Sequence, residues 1–299
     1  MIEIVRDKLH ELIEFYDWAL TRADNRVADW FLMDSYLPTI LLTIGYLVTV
    51  RLGMNFMKHR KPFELRITLF IYNLALVVLN LHIFYQVLTT SWKLNYSYTC
   101  QPVDYSDNPL SVNMAKALWW YYFSKLIEFL DTIFFILRKK FNQVSFLHVY
   151  HHATMFPIWW IGVKWVPGGQ SFFGAMINSF IHVIMYTYYG VSALGPQYQK
   201  YLWWKKYLTI LQLTQFIAGM SHSCISLINR CEFPLWMQWA LILYGFSIFC
   251  LFINFYIRAY KHPKQQKKNQ NATNGTVKNG VTTATTNGTE LMKNNKKSN

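Results

Sequence analysis

Charge is in short supply in this chain: 15% of its 299 residues are Asp, Glu, Lys or Arg, against about a quarter in a soluble domain. So thin a polar surface excludes an ordinary water-soluble domain and points to a bilayer as the solvent. No cleavable leader is expected either. Residues 1–34 are polar and acidic (Glu3, Asp7, Glu11, Glu14, Asp17), with no apolar core behind a basic start. The first span is therefore expected to act as its own insertion signal. No Gly-x-Gly-x-x-Gly fingerprint occurs, so dinucleotide chemistry is not expected here. What the chain has in abundance is apolar surface, 53% hydrophobic and 18% aromatic, with a net charge of +14. Spread over one face, that charge would suit nucleic acid. It is instead sorted between loops, and no nucleic-acid partner is expected.

A bilayer core of about 30 Å needs about 20 apolar residues in a helix. Stretches at 36–55, 67–90, 117–137, 145–163, 171–192, 207–228 and 235–257 qualify, with Pro157 expected to kink the fourth. The expected fold class is an all-α integral membrane protein of about seven transmembrane helices. Residues 3–20 place Ile4, Leu9, Leu12, Ile13, Tyr16 and Leu20 at amphipathic spacing, reading as a helix along the membrane surface. Of the 29 Lys and Arg residues, 20 fall on the side that holds the C-terminus and eight on the other, with Lys125 left inside a span. Positive residues stay cytosolic, which makes the N-terminus lumenal and the C-terminus cytosolic. Three domains are expected: a lumenal segment 1–35, a transmembrane domain 36–258 and a disordered cytosolic tail 259–299. Cys100 and Cys231 then share the lumenal side, where a disulfide can form. Asn95 heads a lumenal Asn-Tyr-Ser sequon and is a glycosylation candidate. Lys296 and Lys297 stand third and fourth from the end, resembling a dilysine retrieval signal for the endoplasmic reticulum.

Ionisable groups inside spans are costly and mark function by default. Lys125, Glu128 and Asp131 recur at i, i+3 and i+6 in span three. His148, His151 and His152 share one face of span four. Span five carries Asn178, His182, Met185 and Tyr189 as a stripe beside Tyr186 and Tyr188, and span six carries Thr209, Gln212 and Gln215. Counted from the cytosolic ends, Asp131, His151, Gln215, His182 and Lys125 lie about 9, 10, 13, 15 and 18 Å deep. Four helices thus set polar faces in one slab open to the cytosol, below an apolar lining that suits an amphiphile with a fatty tail. Packing competes as a reading: Gln stripes glue helices together, and Lys125 with Glu128 or Asp131 can be a structural ion network. His82 and His222 stand alone outside the slab and read as structural. His-x-x-His-His also occurs in di-iron lipid-modifying enzymes, but these deliver many histidines in several boxes. Nine are present here, and His10, His59, His82, His222 and His262 lie outside the cluster. No metal is therefore expected, and the histidines are free for acid–base or nucleophilic work.

The segments Lys125-x-x-Glu128-x-x-Asp131-Thr132, His148-Val149-Tyr150-His151-His152, Asn178-x-x-x-His182-x-x-Met185-Tyr186-x-Tyr188-Tyr189 and Thr209-x-x-Gln212-x-x-Gln215 resemble, in order, the four signature boxes of the very-long-chain fatty acid elongases. The resemblance covers about residues 25–260. Phe172-Phe173-Gly174, Tyr201–Lys206 and the basic tail resemble one animal subtype. It implies a 3-oxoacyl-CoA synthase that joins a long or very-long-chain acyl-CoA to malonyl-CoA with loss of CO₂ and CoA, with no bound cofactor. Spans two to seven would enclose an acyl tunnel. His151 would carry the acyl group as an acyl-imidazole, with His182 and Asn178 orienting it and stabilising an oxyanion or enolate, and His148 and His152 fixing tautomers. Lys125, Glu128, Asp131, Gln212, Gln215, Tyr186, Tyr189, Lys205 and Lys206 would bind substrate, with Lys125 and the cytosolic basic residues Arg138, Lys139, Lys205 and Lys206 drawing in the CoA phosphates. Cys250 is the rival nucleophile. Expected partners are membrane lipid, a ketoacyl-CoA reductase, a dehydratase, an enoyl reductase and other elongase chains in an oligomer. The alternatives are a metal-dependent histidine-box enzyme and a non-catalytic seven-span lipid receptor or transporter.

Overall fold

The computed structural model describes residues 2–261. Lys296, Lys297 and nearly all of the expected tail 259–299 lie outside the described residues. Among these, every regular element is helical: α1 Ile2–Leu20, α2 Leu37–Met57, α3 Arg66–Lys93, α4 Pro109–Ile127, α5 Phe129–Leu137, α6 Phe146–Trp165, α7 Ser171–Ala193, α8 Lys205–Ile228 and α9 Leu235–Tyr256. A first compact unit ends at Cys250, and the described part of the second is the end of α9 with the π turn Ile257–Lys261. Leu37–Met57, Arg66–Lys93 and Leu235–Lys261 are long and apolar enough to cross a membrane. Three of the other four expected stretches fall on single helices, α6, α7 and α8, and all four carry polar residues of the slab.

The span expected at 117–137 needs correction, for it is two helices. Asn108 caps the first through Leu110 N, and Pro109 takes the position whose N–H needs no partner, so α4 begins well before Ala117. It stops at Glu128, whose N–H still bonds Ser124 O at 2.9 Å, while Asp131 N turns back to Glu128 O at 3.1 Å. That tightened turn separates α4 from α5, so Lys125 and Asp131 lie on different helices. α6 stays helical through Pro157. α3 packs along α7 and α4, α6 against α4 and α2, α2 against α5, and α8 against α7.

α1 leaves Leu9, Leu12, Ile13, Phe15 and Trp18 half-exposed or more. Its last turn and the chain after it are pinned by side chains of α6. Trp165 Nε1 donates to Ala19 O at 2.8 Å, Trp160 Nε1 to Leu32 O at 2.7 Å, and Lys164 Nζ to Met33 O at 2.9 Å. Arg26, paired with Asp24 at 2.6 Å, also reaches Ser106 O at 2.6 Å. In the 94–108 loop, the hydroxyl of Ser111 donates to Asp104 and is the leading cause holding that carboxyl below its ordinary range.

Cys100 and Cys231 are bonded, joining the α3–α4 loop to the α8–α9 loop across 131 residues of sequence. Val166, Phe233 and Met237 pack around the bridge. Gly169 has φ +54°, and a Cβ there would meet Gln101 O and Val103 at 2.9 Å, so the turn before α7 can lie against this loop only with glycine. A crosslink closing so long a loop constrains the unfolded chain, for about 2–5 kcal/mol. Cys231→Ser is therefore expected to lower the melting temperature in non-reducing detergent, by an amount that reductant reproduces in the wild type. Equal melting of both proteins would show that the bridge holds nothing together. Asn95 is exposed in the same loop.

Candidate active site

Three helices build one polar network. Tyr121 and Lys125 lie one turn apart on α4, and Glu128 ends that helix. Lys125 Nζ bonds Glu128 Oε1 at 2.8 Å and Asn178 Oδ1 of α7 at 3.4 Å. Tyr121 OH donates to the same Asn178 oxygen at 2.7 Å. One turn further along α7, His182 Nδ1 meets Glu128 Oε1 at 3.2 Å. Asn178 Nδ2 carries the network to α8 through Gln215 Oε1 at 3.3 Å. Lys125 is 1% and Glu128 0% exposed. Buried charges persist only when paired and hydrogen-bonded, and this pair has both. Lys125 is buried against Glu128 and Asn178.

The second polar group joins α2, α5 and α6. His148 Nε2 meets Thr132 Oγ1 at 2.8 Å, and Thr132 meets Tyr46 OH at 2.9 Å. His152 is buried beside them, its ring 4.4 Å from that of His148. His151 faces another way. Its ring stands edge-on to His152 at 5.2 Å and has no hydrogen-bond partner among the described residues. It lines a cavity with Tyr121, Asn178 and Gln215, within electrostatic reach of Glu128, Lys125 and His182. Neither His148 nor His152 hydrogen-bonds it. Among the described residues no three of His, Cys, Asp and Glu converge as metal ligands.

The cavity runs down α6 from His151 past Met155 to Trp159, about 12 Å at 1.5 Å per residue. α9 closes one side with Leu241, Tyr244 and Ile248, and Thr154 ties Tyr244 in place at 3.0 Å. At the far end stand Gln170, Ser171, His222 and Ser223. His222 thus does more than the packing expected of it. Its ring stacks on Phe173 at 4.2 Å, yet it is also cavity wall, and Nε2 is buried without a partner.

Other candidates sit around this axis. Asp131 accepts from Tyr186 OH at 2.8 Å, and Gln212 Nε2 points at Met185 Sδ at 3.3 Å, both away from the cavity lining. Tyr189 is 39% exposed, with its ring against Tyr186 and Tyr188. Lys205 and Lys206 are exposed in the first turn of α8. Lys139 is engaged by the carbonyls of Lys58 and Arg60, both at 3.0 Å. Cys224 and Cys250 are free but exposed, and neither lines the cavity. Tyr121, Trp159 and Tyr244 carry no sequence signal beyond being aromatic in an aromatic-rich chain. Thr132 stood inside the first box without a role.

Long apolar helices around a buried Lys–Glu–His–Asn network define a membrane protein with an internal polar site. The chain belongs to the ELO: GNS1/SUR4 family, whose model matches residues 31–268. It is similar to very long chain fatty acid elongase 4 of Mus musculus, 58% identical over 272 residues, 91% of this chain and 87% of that protein. The Homo sapiens protein of that name is 56% identical over 281 residues, covering 94% and 90%. Very long chain fatty acid elongase 2 of Mus musculus is 48% identical over 271 residues, 91% of each chain.

Proposed function

We propose that this chain is the condensing enzyme of fatty acid elongation, a 3-oxoacyl-CoA synthase acting on long and very-long-chain acyl-CoA. The observation that carries the reading is the position of His151. It is an imidazole without a hydrogen-bond partner among the described residues, in the wall of a largely apolar slot that Asn178 and Gln215 also line. Its relatives' names supply the substrate class.

In this reading a His151 ring nitrogen attacks the acyl-CoA carbonyl. The C–S bond breaks, and the ring N–H proton leaves with CoA as the thiol. Malonyl-CoA then loses CO₂ to give an enolate, whose carbon attacks the acyl-imidazole and yields 3-oxoacyl-CoA. The released imidazolate takes up the proton that the overall reaction consumes. An acyl-imidazole is a high-energy donor, so transfer runs forward. The Asn178 amide, oriented by Tyr121 and Lys125, supplies donors to the developing oxyanion, and Lys125 places a fixed positive charge behind it. His182, held by Glu128, stands behind that wall, one turn along α7 from Asn178. Lys205, Lys206 and Arg138 attract CoA electrostatically at the slab's open side.

The seven helices α2, α3, α4–α5, α6, α7, α8 and α9 cross the membrane of the endoplasmic reticulum, with N-terminus lumenal, C-terminus cytosolic and catalytic domain 36–258. The charge sorting of loops and the bonded Cys100–Cys231 pair, which share the lumenal side, support that topology. The product carries a 3-oxo group, so a ketoacyl-CoA reductase, a dehydratase and an enoyl reductase must follow. Purified protein given acyl-CoA and carboxyl-labelled malonyl-CoA is expected to release labelled CO₂ and 3-oxoacyl-CoA. A lipid receptor or transporter with the same slab would release neither.

A further inference from the structure

The outer surface of α3 is apolar along most of its length: Leu74, Val78, Leu81 and Tyr85 are 51%, 60%, 52% and 60% exposed. One place breaks that surface. Between α3 and α4 a cavity of about 190 Å³ is lined by His82, Gln86, Asn113, Lys116, Ala117 and Trp120. Asn113, Lys116 and Trp120 follow one another at helical spacing on the exposed side of α4, and His82 stands edge-on to Trp120 at 6.4 Å. None of the four polar side chains has a hydrogen-bond partner among the described residues, and Lys116 has no ion pair. No acidic side chain lines the cavity. It lies on the opposite face of α4 from Lys125 and takes no part in the network around Glu128.

A polar cluster facing hydrocarbon is costly unless something answers it. Counting from Pro109 and Lys93, Asn113, Lys116 and Gln86 lie about 6–10 Å in from the helix ends, and His82 and Trp120 about 16 Å. The upper group is at the depth of lipid headgroups and glycerol, where lysine stems snorkel and tryptophan anchors. The lower pair stands deeper, at the start of the acyl chains, with the apolar stripe of Leu81, Val78 and Leu74 beyond.

We infer that this groove between α3 and α4 is a binding site for one anionic phospholipid. Its phosphate accepts from Lys116, Asn113 and Gln86, the upper part of its acyl chains meets His82 and Trp120, and a tail continues along α3. One unneutralised cation with three further polar groups matches a phosphate carrying net negative charge. A neutral face of a second protein copy offers no such match. The site is separate from the acyl slot and requires only that α3 and α4 cross the bilayer side by side.

The test uses the full chain in nanodiscs of phosphatidylcholine alone or mixed with phosphatidylglycerol, extracted gently and weighed by native mass spectrometry. Wild type is expected to retain one phosphatidylglycerol per chain in preference to phosphatidylcholine. Lys116→Gln should lower that retention about fivefold, Asn113→Leu should lower it too, and Lys116→Arg should restore it. Melting in lipid-free detergent should be the same for all four proteins, since these side chains touch no protein partner. Equal retention by Lys116→Gln, equal retention of phosphatidylcholine, or stabilisation by inorganic phosphate matching that by lipid would each overturn the site. A dimer that persists in the wild type and dissociates in Lys116→Gln would assign the face to a second copy and overturn it as well.

Discussion

His151→Ala is expected to abolish condensation, lowering labelled CO₂ release at least about 10³-fold, while the protein melts as the wild type does. Removing a nucleophile costs nearly the whole catalytic advantage of the group it belongs to. A general base is worth about 10²–10⁴, so rate alone does not separate an acyl-imidazole from a ternary complex in which His151 takes a proton. Mass does. Wild type incubated with acyl-CoA and no malonyl-CoA should gain the mass of one acyl group, and His151→Ala should not. Stability should hardly move, because the His151 ring has no hydrogen bond to lose and borders open space. An adduct that survives in His151→Ala would transfer the role to His182 or Cys250. The second of these is the weaker, since its thiol is exposed and outside the cavity lining. A wild type that never gains mass yet still depends on His151 would favour the ternary complex.

The helices were legible in the sequence because crossing a bilayer needs a length of apolar chain that hydropathy reads directly. The one large departure, α4, has a physical cause. Its first two turns hold Ser111, Asn113 and Lys116, which depress hydropathy, and the cues that mark its start are a cap and a proline at Asn108 and Pro109. The break at Glu128 leaves no compositional trace, since a carboxylate at a helix junction looks like one inside a helix. The polar residues were found because charge in a span is rare. Their pairing was not, because which oxygen Lys125 meets depends on how α4, α7 and α8 pack. The spacing put Asp131 with Lys125 and Glu128, whereas Tyr186 claims it. His222 was passed over for standing alone on its helix, and only the approach of α8 to Gln170 and Ser171 shows it as cavity wall.

Glu128 is where fold and chemistry are most tightly joined, and its substitution should have the largest effect on stability. Its Oε1 accepts from Lys125 at 2.8 Å and meets His182 at 3.2 Å, while Oε2 has no partner. Glu128→Ala would leave Lys125 buried with Asn178 Oδ1 at 3.4 Å and the Tyr121 ring at 4.4 Å as its remaining company. Removing one partner of a buried pair costs about 3–5 kcal/mol, a large part of a typical total of about 5–15 kcal/mol. Glu128→Ala and Lys125→Met are each expected to melt far below the wild type. The double variant Lys125→Met with Glu128→Leu should recover most of that loss, because apolar neighbours of similar volume need no counter-charge. Activity should not recover with it. Without the pair, Asn178 and His182 lose the bonds to Lys125 and Glu128 that hold them in place beside the slot, so the double variant would be folded and slow. Thermal melting read beside CO₂ release separates the two quantities. A double variant that condenses at the wild-type rate would show the network to be scaffolding alone, and a Glu128→Ala protein that melts normally would mean that Lys125 never needed its partner.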